Sequence, residues 1–201
     1  IRALVRQIDD AVAELLPRFP LDRTVVAFTS DHGDFGGHRG LAGKSPWIPF
    51  DDLVRVPLLL AGPGIAAGRR SPAIVQSGDL PLTLCELASV PLPMPASDFD
   101  SVSIVPHLGA DPPEGRGGRP ARFLYNSGWP GARLGGVKLI CHWPSWTTLL
   151  LDLDADPDER VDRSDDPDYA DVRRELEAIV WDGLSSGGLQ EPLADWAATR
   201  A

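Results

Sequence analysis

The stretch TVVAFTSDHGDFGGHRGLAGK, Thr24 to Lys44, decides how the rest of the chain is read. Its first six residues are β-branched or apolar, the pattern of a short strand buried in a parallel sheet. An acid, an imidazole and a glycine follow at once, Asp31, His32 and Gly33, and a glycine-rich loop then ends in Lys44. In a parallel α/β sheet, ligands bind at the carboxyl ends of the strands, which is where Asp31 and His32 fall. Carboxylate and neutral imidazole are both metal ligands, and a glycine lets the backbone turn so that neighbours serve one centre. Taken alone, the tripeptide is better read as a turn cap beside a surface histidine, because short motifs match by chance. Lys44 adds weight. A lysine after a flexible loop reaches back as a point charge toward an anion, although most lysines are simply solvated. The 201-residue chain has two lysines, Lys44 and Lys138, against many arginines.

Outward from this stretch the pattern is α/β. Ile1, Leu4, Val5, Ile8, Val12 and Leu15 recur at helical spacing with charges between them, and Pro17 and Pro20 close that helix. Val56 to Ala61 reads as a second buried strand, ended by Gly62-Pro63-Gly64. Asp79 is a candidate N-cap, with Pro81 in the first turn of a helix reaching Ala88. Residues 91–120 are rich in Pro, Gly and Ser and read as linker or surface loops. Beyond them the pattern changes. Arg122–Tyr125, Gly136–His142 and Thr147–Leu153 read as short antiparallel strands. An acidic turn and a helix over Asp168–Trp181 follow, with Val172, Leu176, Ile179 and Val180 on one face. The expected organisation is an α/β core piece over 1–118, its sheet mainly parallel and flanked by helices. A small α+β subdomain of antiparallel strands plus a helix follows over 119–201.

Composition bounds the function. Apolar residues make up 43% of the chain, enough for a packed core, and the net charge of −10 argues against nucleic acid or an anionic membrane as partner. Most of the excess acid lies after Leu151, so the charge describes chiefly the tail. No run is long and apolar enough to span a bilayer. Two cysteines, Cys85 and Cys141, make no disulfide framework and read as buried structural thiols. The chain opens inside a helical pattern without a methionine, so it reads as a piece of a longer protein.

Three local signals are set aside. Asp152-Leu-Asp-Ala-Asp-Pro-Asp imitates a calcium loop, but Pro157 and Arg163 occupy positions six and twelve, where glycine and a bidentate glutamate are needed. Gly62-Pro-Gly-Ile-Ala-Ala-Gly lacks the following helix of a dinucleotide loop. Arg55 reads as an ion-pair partner of Asp51 or Asp52.

Several linked motifs together carry a resemblance. TSDHGDFGGHRGLAGK resembles the metal-binding segment of the sulfatase family, in the alkaline phosphatase superfamily, which reads T-S-D-H-G-[DE] or T-A-D-N-G, then a glycine-containing loop, then G-K. FDDLVRVPLLLAGPG (Phe50–Gly64) resembles that family's Y-E-E-S-x-R-V-P-L-x-x-x-G-P-G, and DLPLTLCELA (Asp79–Ala88) its D-L-x-P-T-L-L-x-L-A. VKLI followed by LLDLDADPDER resembles its Y-K-L-I and E-L-Y-D-L-x-x-D-P-x-E. The match runs in order from about Ile8 to Tyr169.

The resemblance implies a hydrolase of sulfate esters, acting on an anionic small molecule or glycan. Asp31 and His32 match the second half of its metal site, filled by a divalent cation, with Ca²⁺ expected and Mg²⁺ or Mn²⁺ as alternatives. Lys44 matches the lysine that contacts a sulfate oxygen. Cation and lysine together stabilise charge where it develops on oxygen. The family's nucleophile is a formylglycine made in a C-x-[PA]-x-R motif. These 201 residues contain no such motif, since Cys141-His-Trp-Pro-Ser-Trp has its proline one place late and no arginine. The first pair of metal acids is also absent from the sequence. The chain is therefore expected to correspond to the carboxyl-terminal part of a sulfatase-like domain, inactive alone, with the amino-terminal part missing. His38-Arg39 stands where the family's loop usually carries an acid-His pair, so these two are candidates to meet a second anionic group of the substrate. A phosphodiester or phosphonate monoester hydrolase shares D-H-G and the lysine, and a non-catalytic relative remains a third reading.

Overall fold

The computed structural model describes residues 1–92, 101–111, 113, 120–123, 128–142, 145 and 147–186. They form two compact units, Ile1–Gly43 with Val56–Gly115, and Lys44–Arg55 with Arg116–Ala201.

In the first unit, helix α1 (Arg2–Leu15) ends in a 3₁₀ turn at Leu16–Arg18 that contains Pro17. Arg6 Nε donates to Asp10 Oδ1 at 2.9 Å, one turn along. Strand β1 (Val26–Thr29) follows. It pairs with β2 (Leu58–Ala61) in antiparallel sense, Val26 opposite Ala61 and Phe28 opposite Leu59. The expected parallel, buried strand is corrected here. Chain direction is invisible in a short apolar run, and β2 runs back along β1, leaving Phe28 and Leu59 exposed. Gly62 ends β2 at φ +133°, and a Cβ there would meet the Thr24 carbonyl oxygen and lie 2.8 Å from Val25 Cα. Only glycine lets the two chains pass this closely.

Helix α3 (Asp79–Ala88) has Gly78, not Asp79, at its N-cap. Asp79 is instead the first helical residue, fully buried, and its carboxylate accepts from Gln76 N at 2.8 Å and Val102 N at 3.0 Å. Thr83 Oγ1 donates to Asp79 O at 2.7 Å and accepts from Ile104 N at 3.0 Å. The described part of the Pro/Gly/Ser-rich stretch is thus stitched to α3 rather than hanging as a linker, and Ile104 is buried.

The first helix of the second unit is α2 (Asp51–Val54), in which Leu53 is buried. Its sheet is an antiparallel meander of β3 (Ala121–Phe123), β4 (Gly131–Leu134), β5 (Val137–His142) and β6 (Thr147–Asp152). Strand β4 is absent from the sequence reading. Leu134 pairs with Val137 across Gly135-Gly136, so the two glycines form a hairpin turn rather than the start of a strand. Gly135 has φ +59°, the left-handed conformation such turns require.

Alternation gives this sheet two buried faces. Ala132, Leu139, Cys141 and Leu150 pack against Leu176, Val180 and Leu184 of helix α4 (Ala170–Ser186). Ile140, Leu151 and, just past β6, Leu153 pack against Ile48 and Phe50. The helix face expected from Val172, Leu176, Ile179 and Val180 does face the sheet. Cys141 is buried as expected, whereas Cys85 is half-buried, and neither is in a disulfide. Among the described residues no helix is long and apolar enough to cross a membrane.

Candidate metal centre

Asp31 and His32 sit directly beyond the end of β1, separated from it by Ser30. The Ser30 hydroxyl donates to His32 O at 2.8 Å and lies 3.4 Å from Asp31 Oδ1. His32 N donates to the same Asp31 oxygen at 2.9 Å. These bonds fold the dipeptide into one fixed turn and occupy Oδ1, while the side chain of Asp31 stays 83% exposed. The His32 backbone N–H beside Asp31 holds its carboxyl below the usual carboxylate range, with the Ser30 hydroxyl adding to the effect. Asp31 is therefore anionic at any physiological pH.

His32 Nδ1 lies 2.8 Å from the Gly33 carbonyl oxygen. A carbonyl only accepts, so Nδ1 carries the proton and the lone pair of a neutral imidazole is on Nε2. Nε2 lies 3.4 Å from Asp31 Oδ2. Two neighbouring ligands at about 90° on a cation with bonds of roughly 2.3–2.6 Å stand about 3.3–3.7 Å apart, whereas bonds of roughly 2.0–2.1 Å bring them to about 2.8–3.0 Å. At 3.4 Å the two atoms are close enough to serve as neighbouring ligands of one divalent cation. Among the described residues no group of three or more His, Cys, Asp and Glu side chains stands together as a metal centre. This pair would supply two ligands of a larger set.

The loop after Gly33 is closed by its own backbone. Phe35 N donates to Gly43 O at 3.0 Å and Gly37 N to Leu41 O at 2.8 Å, with Phe35 buried beneath. Asp34 Oδ1 accepts from Gly36 N at 2.7 Å, which gives that carboxylate a structural task within the loop. His38 and Arg39 lie in a 3₁₀ turn, His38–Gly40, where Arg39 has φ 55°. A non-glycine residue in the left-handed region is uncommon, and here the loop's bonds hold it there.

Lys44 opens the second unit and is described within it. Trp47 N donates to Lys44 O at 2.7 Å, and Nζ of Lys44 lies over the Trp47 ring, 4.8 Å from its centroid. Asp51, one of the two partners expected for Arg55 beside Asp52, is taken by Lys138 at 2.6 Å and approached by Arg133 at 4.0 Å. Two contributors to these sites have no role in the sequence reading. Ser30 stands inside the quoted motif and orients the Asp31-His32 turn. Lys138 is visible in sequence as a lone charge between apolar neighbours of a strand.

A family model of sulfatases matches residues 2–90. The choline-sulfatase of Rhizobium meliloti is 32% identical over 195 residues, covering 90% of this chain and 36% of the relative. A protein solved in complex with its substrate, D-glucosamine-2-N,6-O-disulfate, superimposes with a TM-score of 0.73 at 26% identity, over 93% of this chain and 39% of that one. The phosphonate monoester hydrolase of Agrobacterium radiobacter superimposes with a TM-score of 0.63 at 25% identity, over 96% of this chain and 39% of that one. The chain thus spans little more than a third of the length of the curated relative. With the linked motifs, the shared fold and the Asp31-His32 turn at the end of β1, the chain belongs to the sulfatase family.

Proposed function

We propose that this chain carries part of the active site of a metal-dependent hydrolase of sulfate esters. The observation that supports the reading best is the convergence of Asp31 Oδ2 and His32 Nε2 at 3.4 Å on an exposed strand end. In this reading Asp31 and His32 hold a divalent cation, Ca²⁺ by the family resemblance, with Mg²⁺ or Mn²⁺ as alternatives. When bound, that cation neutralises charge on the ester oxygens. Lys44 donates to a sulfate oxygen, and its charge gains most as the S–O bond breaks and negative charge spreads over oxygen. His38 and Arg39 sit on the closed loop after the metal pair and meet a second anionic group of the substrate. The reacting nucleophile, a formylglycine by the family resemblance, is not among these 201 residues.

The substrate class follows from the same groups. A cation, a lysine and a His-Arg pair suit an anionic ester, a sulfated small molecule or glycan. The relatives that act on choline sulfate and that bind a disulfated glucosamine lend support. A phosphonate or phosphodiester substrate is the second reading, favoured by the likeness to the phosphonate monoester hydrolase.

The test has two parts. The 201-residue chain should bind Ca²⁺ weakly by calorimetry, because two ligands leave the rest of the shell to water. It should not hydrolyse an aryl sulfate above a mock preparation. An active polypeptide that includes these residues should prefer an aryl sulfate to a phosphonate monoester. The reverse preference moves the assignment to the second reading, and turnover by the chain itself overturns the division of the machinery.

A further inference from the structure

Lys138 stands in the middle of β5, and its side chain leaves the sheet on the face away from α4. It is fully buried. Nζ lies 2.6 Å from Asp51 Oδ1, donates to the Pro49 carbonyl at 3.1 Å and pairs with Glu159. Glu159 in turn accepts from Asp51 N at 2.8 Å through its other oxygen. Arg133, opposite Lys138 on β4, faces Asp51 Oδ2 at 4.0 Å. Two cations and two carboxylates balance in one cluster. Two of its anchored groups, the Pro49 carbonyl and the Asp51 carboxylate, belong to the segment that begins at Lys44.

A buried ion cluster is a poor source of stability, since well-packed apolar residues often do as well or better. What it does supply is register. Ile48 and Phe50 rest on Ile140, Leu151 and Leu153, and such apolar contacts are non-directional. The ammonium of Lys138 donates to oxygens held at fixed places, the Pro49 carbonyl and the Asp51 carboxylate of the segment, beside Glu159. A slip of the segment by one residue would leave Lys138 and Glu159 buried and short of partners, at a large cost. The segment therefore has one seat on the sheet, and Lys44 enters its turn with Trp47 just before that seat.

We propose that Lys138 is a positioning residue for Lys44, acting through Asp51 and Pro49. The proposal rests on the reading of Lys44 as the lysine that faces the substrate anion. It makes the antiparallel subdomain the part of the molecule that aims this charge.

The chain's two lysines make the test direct. Selective ¹³C labelling of lysine in the 201-residue chain gives two ε-methylene signals, assigned with Lys44→Arg. The Lys44 signal should be displaced by the Trp47 ring, and Trp47→Leu should abolish that displacement. Asp51→Ala removes the tie on the segment but leaves the Lys138–Glu159 pair within the sheet. The expected result is a Lys44 signal at the position of a solvated lysine beside an unmoved Lys138 signal. A Lys44 signal that stays in place while Asp51→Ala is folded overturns the proposal. If both signals collapse, Asp51→Asn decides. There a Lys44 signal displaced partway, with Lys138 unmoved, supports the proposal, and an unmoved Lys44 signal overturns it. Kinetics of Lys44→Ala decide the functional reading separately, because the ring displacement exists whether or not Lys44 acts on substrate.

Discussion

Leu4 and Ile8, one turn apart on α1, are 63% and 53% exposed, whereas Leu176 and Val180, one turn apart on α4, are buried. The two helices carry similar apolar spacing. Helix α4 lies on a four-stranded meander whose face is completed by Ala132, Leu139 and Leu150. Helix α1 has no buried residue, and the two-stranded pair in its unit leaves Phe28 and Leu59 exposed. Periodicity states that a helix has an apolar face. It is silent about whether another element covers that face. The contrast also separates tasks: the second unit closes a core of its own, while the first presents Asp31 and His32 from a strand end with little packing behind it.

Paired truncations sharpen this contrast most. Leu176→Ala should destabilise the second unit by about 2–5 kcal/mol, the cost of lost burial plus the cavity left. Leu4→Ala should stay within about 0.5 kcal/mol in the same chain, as surface substitutions do. Urea unfolding of both variants, followed by circular dichroism, gives the comparison. Equal losses would mean that α1 is covered in solution.

The next largest effect concerns the two charged groups that the units present. In an active polypeptide containing this chain, Lys44→Ala should lower kcat roughly 10²-fold or more, the scale of removing one donor to a developing oxyanion. Metal content should hold, because lysine is no ligand here. Lys44→Arg should rescue poorly, since a planar fork replaces a point charge. Steady-state kinetics with metal analysis would show it, and an unchanged kcat would return Lys44 to an ordinary surface role. Asp31→Asn should instead lower metal affinity and activity together, with partial recovery in excess metal. Asp34→Asn should do far less, because that carboxylate caps Gly36 N within the loop. If calorimetry finds the two alike, the ligands within D-H-G-D are misassigned.

The smallest effect lies in the second unit. Tyr169 OH donates to Asp152 Oδ2 at 2.5 Å, and this bond, aided by backbone N–H groups of Ala155 and Asp154, holds the Asp152 carboxyl below its usual range. The same bond pushes the Tyr169 hydroxyl up. A depressed carboxyl stabilises the fold above its unfolded pKa, about 3.9, and the gain is lost as pH falls through the folded value. A raised phenol contributes below about 10 and loses its share as pH rises through the folded value. Tyr169→Phe should therefore be less stable than the parent at pH 7, with the gap closing toward strong acid and toward strong base. Denaturant titrations across pH that show a constant gap would remove the bond from the account.

The sequence by itself determined the type of most elements, three of the four antiparallel strands of the second unit with their covering helix, and the order of motifs that marks the family. Those signals are local: β-branched runs, helical spacing, and short motifs whose chemistry needs neighbours in sequence, as Asp31, His32 and Gly33 do. Even so, Gly135-Gly136 was legible as a hairpin turn, and reading it as strand hid β4. The tertiary structure decided what depends on distant partners. It ran β2 back along β1, a choice that two short apolar runs do not encode because their pattern reads the same in either direction. It assigned Asp79 to bind Val102 N rather than cap α3. It fixed the neutral tautomer of His32 through the Gly33 carbonyl. It also gave Asp51 to Lys138, 87 residues away in sequence, because a buried ammonium must donate to oxygens and only the fold brings this carboxylate within reach.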